Sequence, residues 1–154
     1  MSGTKAGKVV IVEPRFGRTL QALGDRIVCK ATSSETRGAW ELFEIEAAPG
    51  GGPPLHRHPW DEAYFVLEGE LEFQVAGKKS MLRSGAFVSV PGGTPHTLFN
   101  HGPAPCRYLL WGSPAATGAF FADLDELGRT GAPTLERILA IAGKHGIEAL
   151  VTPA

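Results

Sequence analysis

Apolar and polar residues alternate along much of the chain. Leu71, Phe73 and Val75 are apolar, while Glu70, Glu72 and Gln74 between them are polar. A period of two places one set on a buried face and the other in water, so residues 70–76 are predicted to form a half-buried strand. Comparable short runs occupy residues 25–32, 38–47, 63–67, 80–83, 86–90, 94–100 and 106–111. Residues 8–12 are a short β-branched run, predicted as an edge strand or as an arm pairing with another subunit; residues 1–7 read as a loose tail. In 38–47, Trp40 and Leu42 have one parity, while Phe43, Ile45 and Ala47 have the other. That switch predicts a bulge or burial on both faces. Glu68-Gly69 between 63–67 and 70–76 predicts a hairpin with a two-residue connection.

Glycine and proline punctuate these runs, at Pro49 to Pro54, Ala76-Gly77, Ser84-Gly85, Pro91 to Gly93 and His101 to Pro105. Gly lacks a side chain and Pro lacks an amide donor, so these segments are turns and not strand interiors. After Gly112 the period changes. Phe120, Phe121, Leu124 and Leu127 form a helical stripe, and Leu135, Ile138, Leu139 and Ala142 form a second between Pro133 and Gly143. Strand signals at short intervals followed by two amphipathic helices predict an all-β barrel or sandwich with a short helical C-terminal extension. No internal repeat is visible. One domain is expected over 1–154: an N-terminal arm and first strands (1–35), a barrel core (36–113) and a helical cover (114–154).

Composition narrows the partners. Hydrophobic residues are 43%, charged residues 20%, and the net charge is −1. That balance shows no electrostatic footprint for nucleic acid or an anionic membrane, so neither is expected as a partner. No run has the length of a membrane span, and residues 9–12 are too short for a signal-peptide core. The two cysteines, Cys29 and Cys106, lie in apolar strand-like runs and read as buried thiols in a reducing compartment. A cytoplasmic protein is expected.

The candidate chemistry lies between Gly50 and Asn100. His56 and His58 are two residues apart, so on a strand both imidazoles face the barrel interior. Glu62, Tyr64 and Val66 share that parity after a bend at Pro59-Trp60-Asp61, and His96 follows the turn at Pro91-Gly92-Gly93. Three imidazoles and a carboxylate suit one divalent transition-metal ion (Fe, Mn, Ni, Cu or Zn) and not Ca(II) or Mg(II). Glu62 reads either as a fourth ligand or as a general base beside a metal held by His56, His58 and His96. Tyr64 is a candidate for the substrate pocket, with a plain core role as the alternative. Trp60 either lines a substrate entrance or packs at a dimer contact. His101 reads as a solvated loop residue, His145 as a helix-end residue, and Asn100 as a hydrogen-bonding residue at a strand end.

Two spacings carry a family likeness. Gly50-x5-His56-x-His58-x3-Glu62-x6-Gly69 and Gly85-x5-Pro91-x-Gly93-x2-His96-x3-Asn100 resemble the two motifs of the cupins, with all ten fixed positions present. The helical tail and the stretch from Tyr64 to Phe73 resemble the quercetin-dioxygenase-like branch of small single-domain cupins. The resemblance implies a double-stranded β-helix (jelly-roll barrel), a metal bound by His56, His58, Glu62 and His96, and a homodimer. It also implies a small-molecule substrate and a metal-dependent dioxygenase acting on an aromatic or enol compound, with Glu62 accepting a proton. The alternative is a non-oxidative cupin: a Lewis-acid isomerase, epimerase or hydrolase, or a small-molecule binding protein.

Overall fold

The computed structural model describes residues 6–150; residues 1–5 of the expected N-terminal tail and 151–154 of the expected cover lie outside them. The strands are β1 (Arg18–Ala22), β2 (Asp25–Ala31), β3 (Glu41–Ala47), β4 (His56–Arg57), β5 (Asp61–Glu68), β6 (Glu70–Val75), β7 (Lys78–Arg83), β8 (Phe87–Val90), β9 (His96–Phe99), β10 (Cys106–Ser113) and β11 (Glu148–Ala149). The helices are α1 (Ser33–Thr36), α2 (Thr117–Thr130) and α3 (Leu135–Lys144). One antiparallel sheet runs β1-β2-β3-β10-β5-β8 and the other runs β11-β4-β9-β6-β7. The two form a jelly-roll β-barrel, and the short helices follow it in the chain.

The alternation read from the sequence sets the inner surface. Phe43 and Ile45 of β3, Val66 of β5, Leu71 and Phe73 of β6 and Leu98 of β9 meet in one buried cluster. A fully buried aromatic such as Phe43 contributes several kcal/mol, on the order of 3–5 if truncated to Ala. In β3 the inner parity is Glu41, Phe43, Ile45 and Ala47, and Leu42 is half-buried on the other side. The irregularity near this strand lies in its partner β2, where the register shifts between Cys29 and Ala31. Cys29 and Cys106 are buried free thiols, and no helix among the described residues is long and apolar enough to cross a membrane.

Three expectations need correction. First, residues 8–12 form no edge strand among the described residues of this chain; Val9 and Ile11 are 92% and 87% exposed, and the first strand is β1. The alternation of Leu20 and Ala22 inward against Thr19 and Gln21 outward carries that strand. Second, the predicted hairpin at Glu68-Gly69 does not exist. β5 pairs with β10 and β8, whereas β6 pairs with β7 and β9 in the other sheet. Gly69 is the corner between sheets. Its φ is 85°, and a Cβ there would lie 3.0 Å from Cys106 Sγ, so the chain can turn tightly only without a side chain. Third, α1 forms between two predicted strands where no helix is expected, and Thr32 and Glu35 form a capping box at its start.

Candidate metal centre

The two short strands that carry histidines are neighbours, and His56 stands directly opposite His96 in the ladder. His58 follows β4, and Glu62 projects from β5 of the facing sheet. The site therefore bridges both sheets at one end of the barrel. The turn that delivers His96 is held by backbone geometry. Gly93 N–H donates to His58 O at 2.7 Å, and Gly92 N–H donates to Asp61 Oδ1 at 2.7 Å. A Cβ on Gly92 would lie 2.2 Å from Pro59 O, so this loop and the His58 segment touch through bare backbone.

Each imidazole spends its Nδ1 on a backbone carbonyl: His56 on Pro54 O at 2.8 Å, His58 on Trp60 O at 3.0 Å, and His96 on Thr94 O at 2.8 Å. A carbonyl only accepts, so each Nδ1 carries a hydrogen, and a ring in its neutral form then has its lone pair on Nε2. One donor atom from each ring lies within 4.8 Å of the others. Burial, then the nearby His96, pushes the His56 imidazole down to about 4, which keeps it neutral at pH 7.

The residues fit a metal ion by a second observation. Nε2 of His58 and of His96 is buried without a hydrogen-bond partner among the described residues. Yet these atoms lie 3.2 and 3.3 Å from Glu62 Oε2. Two lone pairs and a carboxylate oxygen at that range repel one another unless positive charge lies between them. Donor atoms each about 2.1 Å from a shared ion stand roughly 3.0–3.4 Å apart at octahedral to tetrahedral angles, which matches. His56, His58 and His96 could thus hold an ion, with Glu62 at its edge.

Glu62 is buried and fully engaged. Its Oε1 accepts from Trp60 Nε1 at 3.2 Å and from Thr117 Oγ1 at 3.1 Å, and its Oε2 accepts from the Tyr64 hydroxyl at 2.5 Å. In the metal-free protein, burial alone would raise this carboxyl; His58 and His96, where Nε2 carries a proton toward Oε2, and the Tyr64 hydroxyl outweigh it and hold the group well below the usual carboxylate range. Burial, followed by the Glu62 charge, raises the Tyr64 phenol well above its ordinary value, so it stays a donor.

Trp60 is only 4% exposed, and its ring stacks on His58 at 4.1 Å and 9°. It therefore supports the site from within and offers no surface for a dimer contact. His101 is an exposed loop residue. His145 ends α3 and its Nε2 lies 2.6 Å from Asp123 Oδ2. Asn100 is buried, donates to Ala47 O and Ala104 O, and accepts from Gly102 N–H. Sequence reasoning missed Thr117, which reaches Glu62 from the start of α2. No spacing rule links positions so far apart; only the docking of the helix does.

The site opens into a cavity of about 180 Å³ whose lining includes His56, His58, Glu62 and Tyr64, roofed by apolar residues of α2 and α3. A broader, shallower depression of about 680 Å³ lies between the N-terminal segment and Trp40, away from the imidazoles.

Fold and site define a class. Residues 43–112, the stretch that carries all four residues of the site, match the Cupin_2 family, Cupin domain. Quercetin 2,3-dioxygenase of Bacillus subtilis (strain 168) is 40% identical over 85 residues, 51% of this chain and 25% of that protein; the likeness agrees with the quercetin-dioxygenase-like branch. Dimethylsulfoniopropionate lyase DddQ of Ruegeria pomeroyi is 37% identical over 59 residues, 38% of this chain and 29% of that protein. The chain thus spans between 25% and 29% of the length of these two relatives. Among solved structures, a predicted oxalate decarboxylase from Thermotoga maritima superposes with a TM-score of 0.59 at 19% identity, covering 70% of this chain and 99% of the other, a likeness of fold.

Proposed function

We propose that this chain is a metal-dependent dioxygenase-like enzyme acting on a small aromatic or enol substrate, with His56, His58, His96 and Glu62 as metal ligands. One observation carries the reading: the rings of His56, His58 and His96 bring one nitrogen each within 4.8 Å of the others beside the buried Glu62, Nε2 of His58 and of His96 has no partner among the described residues, and the group adjoins a largely apolar cavity. A bound divalent transition-metal ion, one of Fe, Mn, Ni, Cu or Zn, would supply Lewis acidity and, if redox-active, a route for electrons to O₂. Tyr64, Trp60 and Thr117 orient the Glu62 carboxylate, and the apolar walls exclude water. Glu62 Oε2 is placed to accept the proton of an enol hydroxyl. Its low affinity for protons favours the ligand role over the base role, and it suffices as a base only where metal binding has already acidified the enol.

The polypeptide is read as one domain, with residues 36–113 as barrel core, strands before it and helices capping it. It is further assigned to the cytoplasm, which the buried free thiols support. A homodimer is supported by an apolar strip on the outer face of the larger sheet. There Phe65 stands between Leu109 and Phe87 in the ladder; Phe65 is 41% and Phe87 64% exposed, and Trp111 follows at 37%. Sedimentation of the native chain and of Phe87→Glu tests it: a native monomer refutes the dimer.

The functional test is oxygen uptake by protein reconstituted separately with each metal, against flavonols and smaller enols. Uptake that requires the metal and disappears in Glu62→Ala is expected. No uptake with any metal across the panel overturns the oxidative reading. A non-oxidative cupin is the second reading, and the likeness to a lyase favours it. Zinc as the sole metal of tag-free protein, with substrate turnover in the absence of O₂, would establish that alternative.

A further inference from the structure

The cavity has a second polar station that the metal chemistry leaves unused. In the β5–β10 ladder Glu62 faces Gly112, Tyr64 faces Leu110, and Val66 faces Tyr108. Each inward step is two residues, about 7 Å, so Tyr108 is rooted two steps, roughly 13–14 Å, from the Glu62 row. The same row continues through Ile45 to Ile27, and Asp25 is the next residue of that parity on β2. Both Tyr108 and Asp25 line the cavity.

Neither is satisfied by the protein. Tyr108 is 4% exposed, yet its hydroxyl makes no hydrogen bond among the described residues. The ring is buried while the residue lines the cavity, so its hydroxyl is free to bond what enters there. Asp25 Oδ1 accepts from Ala48 N–H at 2.9 Å, while Oδ2 has no partner among the described residues. A phenol that donates and a carboxylate oxygen that accepts, on one otherwise apolar wall, match a ligand hydroxyl, which does both. Burial, then the Asp25 and Glu62 charges, raise the Tyr108 phenol well above its ordinary value, so it remains a donor at neutral pH.

Size limits what lies between the two stations. The cavity is about 180 Å³. A cavity of about 150 Å³ accommodates benzene, whereas drug-sized ligands occupy about 300–1,000 Å³. One substituted ring fills this space, and a three-ring flavonol would have to project through its open side.

We infer that the substrate is a single-ring enol or catechol-type compound with metal-directed oxygens at one end and a free hydroxyl at the other, held by Tyr108 Oη and Asp25 Oδ2. This rests on the metal-site reading above. The test uses Zn(II)-loaded protein without O₂ and measures by calorimetry the affinity of catechol bearing a hydroxymethyl group para to one oxygen, of its methyl analogue, and of quercetin. The hydroxymethyl compound is expected to bind about tenfold tighter than the methyl compound, and that ratio to fall to about one in Tyr108→Phe. Asp25→Asn, which keeps the shape of the wall, should also shrink it. Quercetin should not compete. An unchanged ratio in a folded Tyr108→Phe protein, equal affinity for quercetin, or binding of neither catechol overturns the inference. Metal-free protein separates the two readings. Loss of catechol binding there supports the metal assignment. Undiminished binding refutes it, and the ratio and its dependence on Tyr108 still decide the distal station.

Discussion

Acidifying the metal-free protein should cost stability in an amount set largely by His56. Burial and the neighbouring His96 hold its imidazole at about 4 in the fold, against an ordinary 6.5. The unfolded chain therefore binds this proton more tightly. The contribution is fully present above about pH 6.5 and is lost as pH falls toward about 4. For those two values the loss between about pH 8 and about pH 4.5 is about 2.5 kcal/mol. Glu62 is displaced in the same direction but in a lower range: its stabilisation is present above the ordinary 4.5 and lost below it. Stopping near pH 4.5 thus keeps most of the two effects apart. The assay is urea unfolding with chelator present across that range, for the native chain and for His56→Gln. With an m-value of about 2 kcal/mol/M, the native midpoint should fall about 1 M further than that of the variant. Bound metal should move the loss to lower pH, because the proton must then displace the ion. Parallel loss in the native chain and His56→Gln would refute the reasoning, since a solvated imidazole behaves that way.

Other outcomes follow from named contacts. Asn100→Ala should destabilise the fold by about 2–4 kcal/mol, from three lost hydrogen bonds at a buried position, and lower Tm by roughly 10 °C, read by calorimetry. His58→Ala should leave the barrel's circular dichroism intact while removing most bound metal, measured by elemental analysis of tag-free protein; full occupancy would contradict the ligand set. Gly92→Ala must push apart backbone now separated by less than a side chain, so both Tm and metal content should fall. Thr117→Val removes one donor to Glu62 Oε1 and should preserve metal content while weakening turnover, compared through kcat at saturating substrate.

The local rules were legible where one interaction dominates. The parity of Leu71, Phe73 and Val75, the helical stripes after Gly112 and the punctuation at Pro91-Gly92-Gly93 each follow from burial or backbone sterics acting within a few residues. The same parity paired His56 with His58, whereas Glu62 joins them from β5 of the facing sheet and not from a face shared along one strand. Residues 8–12 form no strand within this chain for the converse reason: β-branched residues permit a strand, but a strand also needs a ladder, and among the described residues they join none, although Lys8 N–H bonds to Glu35 O.

What the chain alone determined was therefore the family of structures, the turns and the residues able to hold a metal. Only the tertiary structure decided how these were joined. Gly69 became a corner between sheets and not a hairpin tip, because β5 finds its partners in β10 and β8. Trp60 became a stacking support for His58, and Thr117 came to hold Glu62, through packing between elements far apart in sequence. Tyr108 and Asp25 acquired a shared cavity wall only through the β10-β3-β2 ladder. Hydrogen bonding across strands and the closure of the helical roof are long-range events, and no local pattern encodes which distant partner will satisfy a given donor.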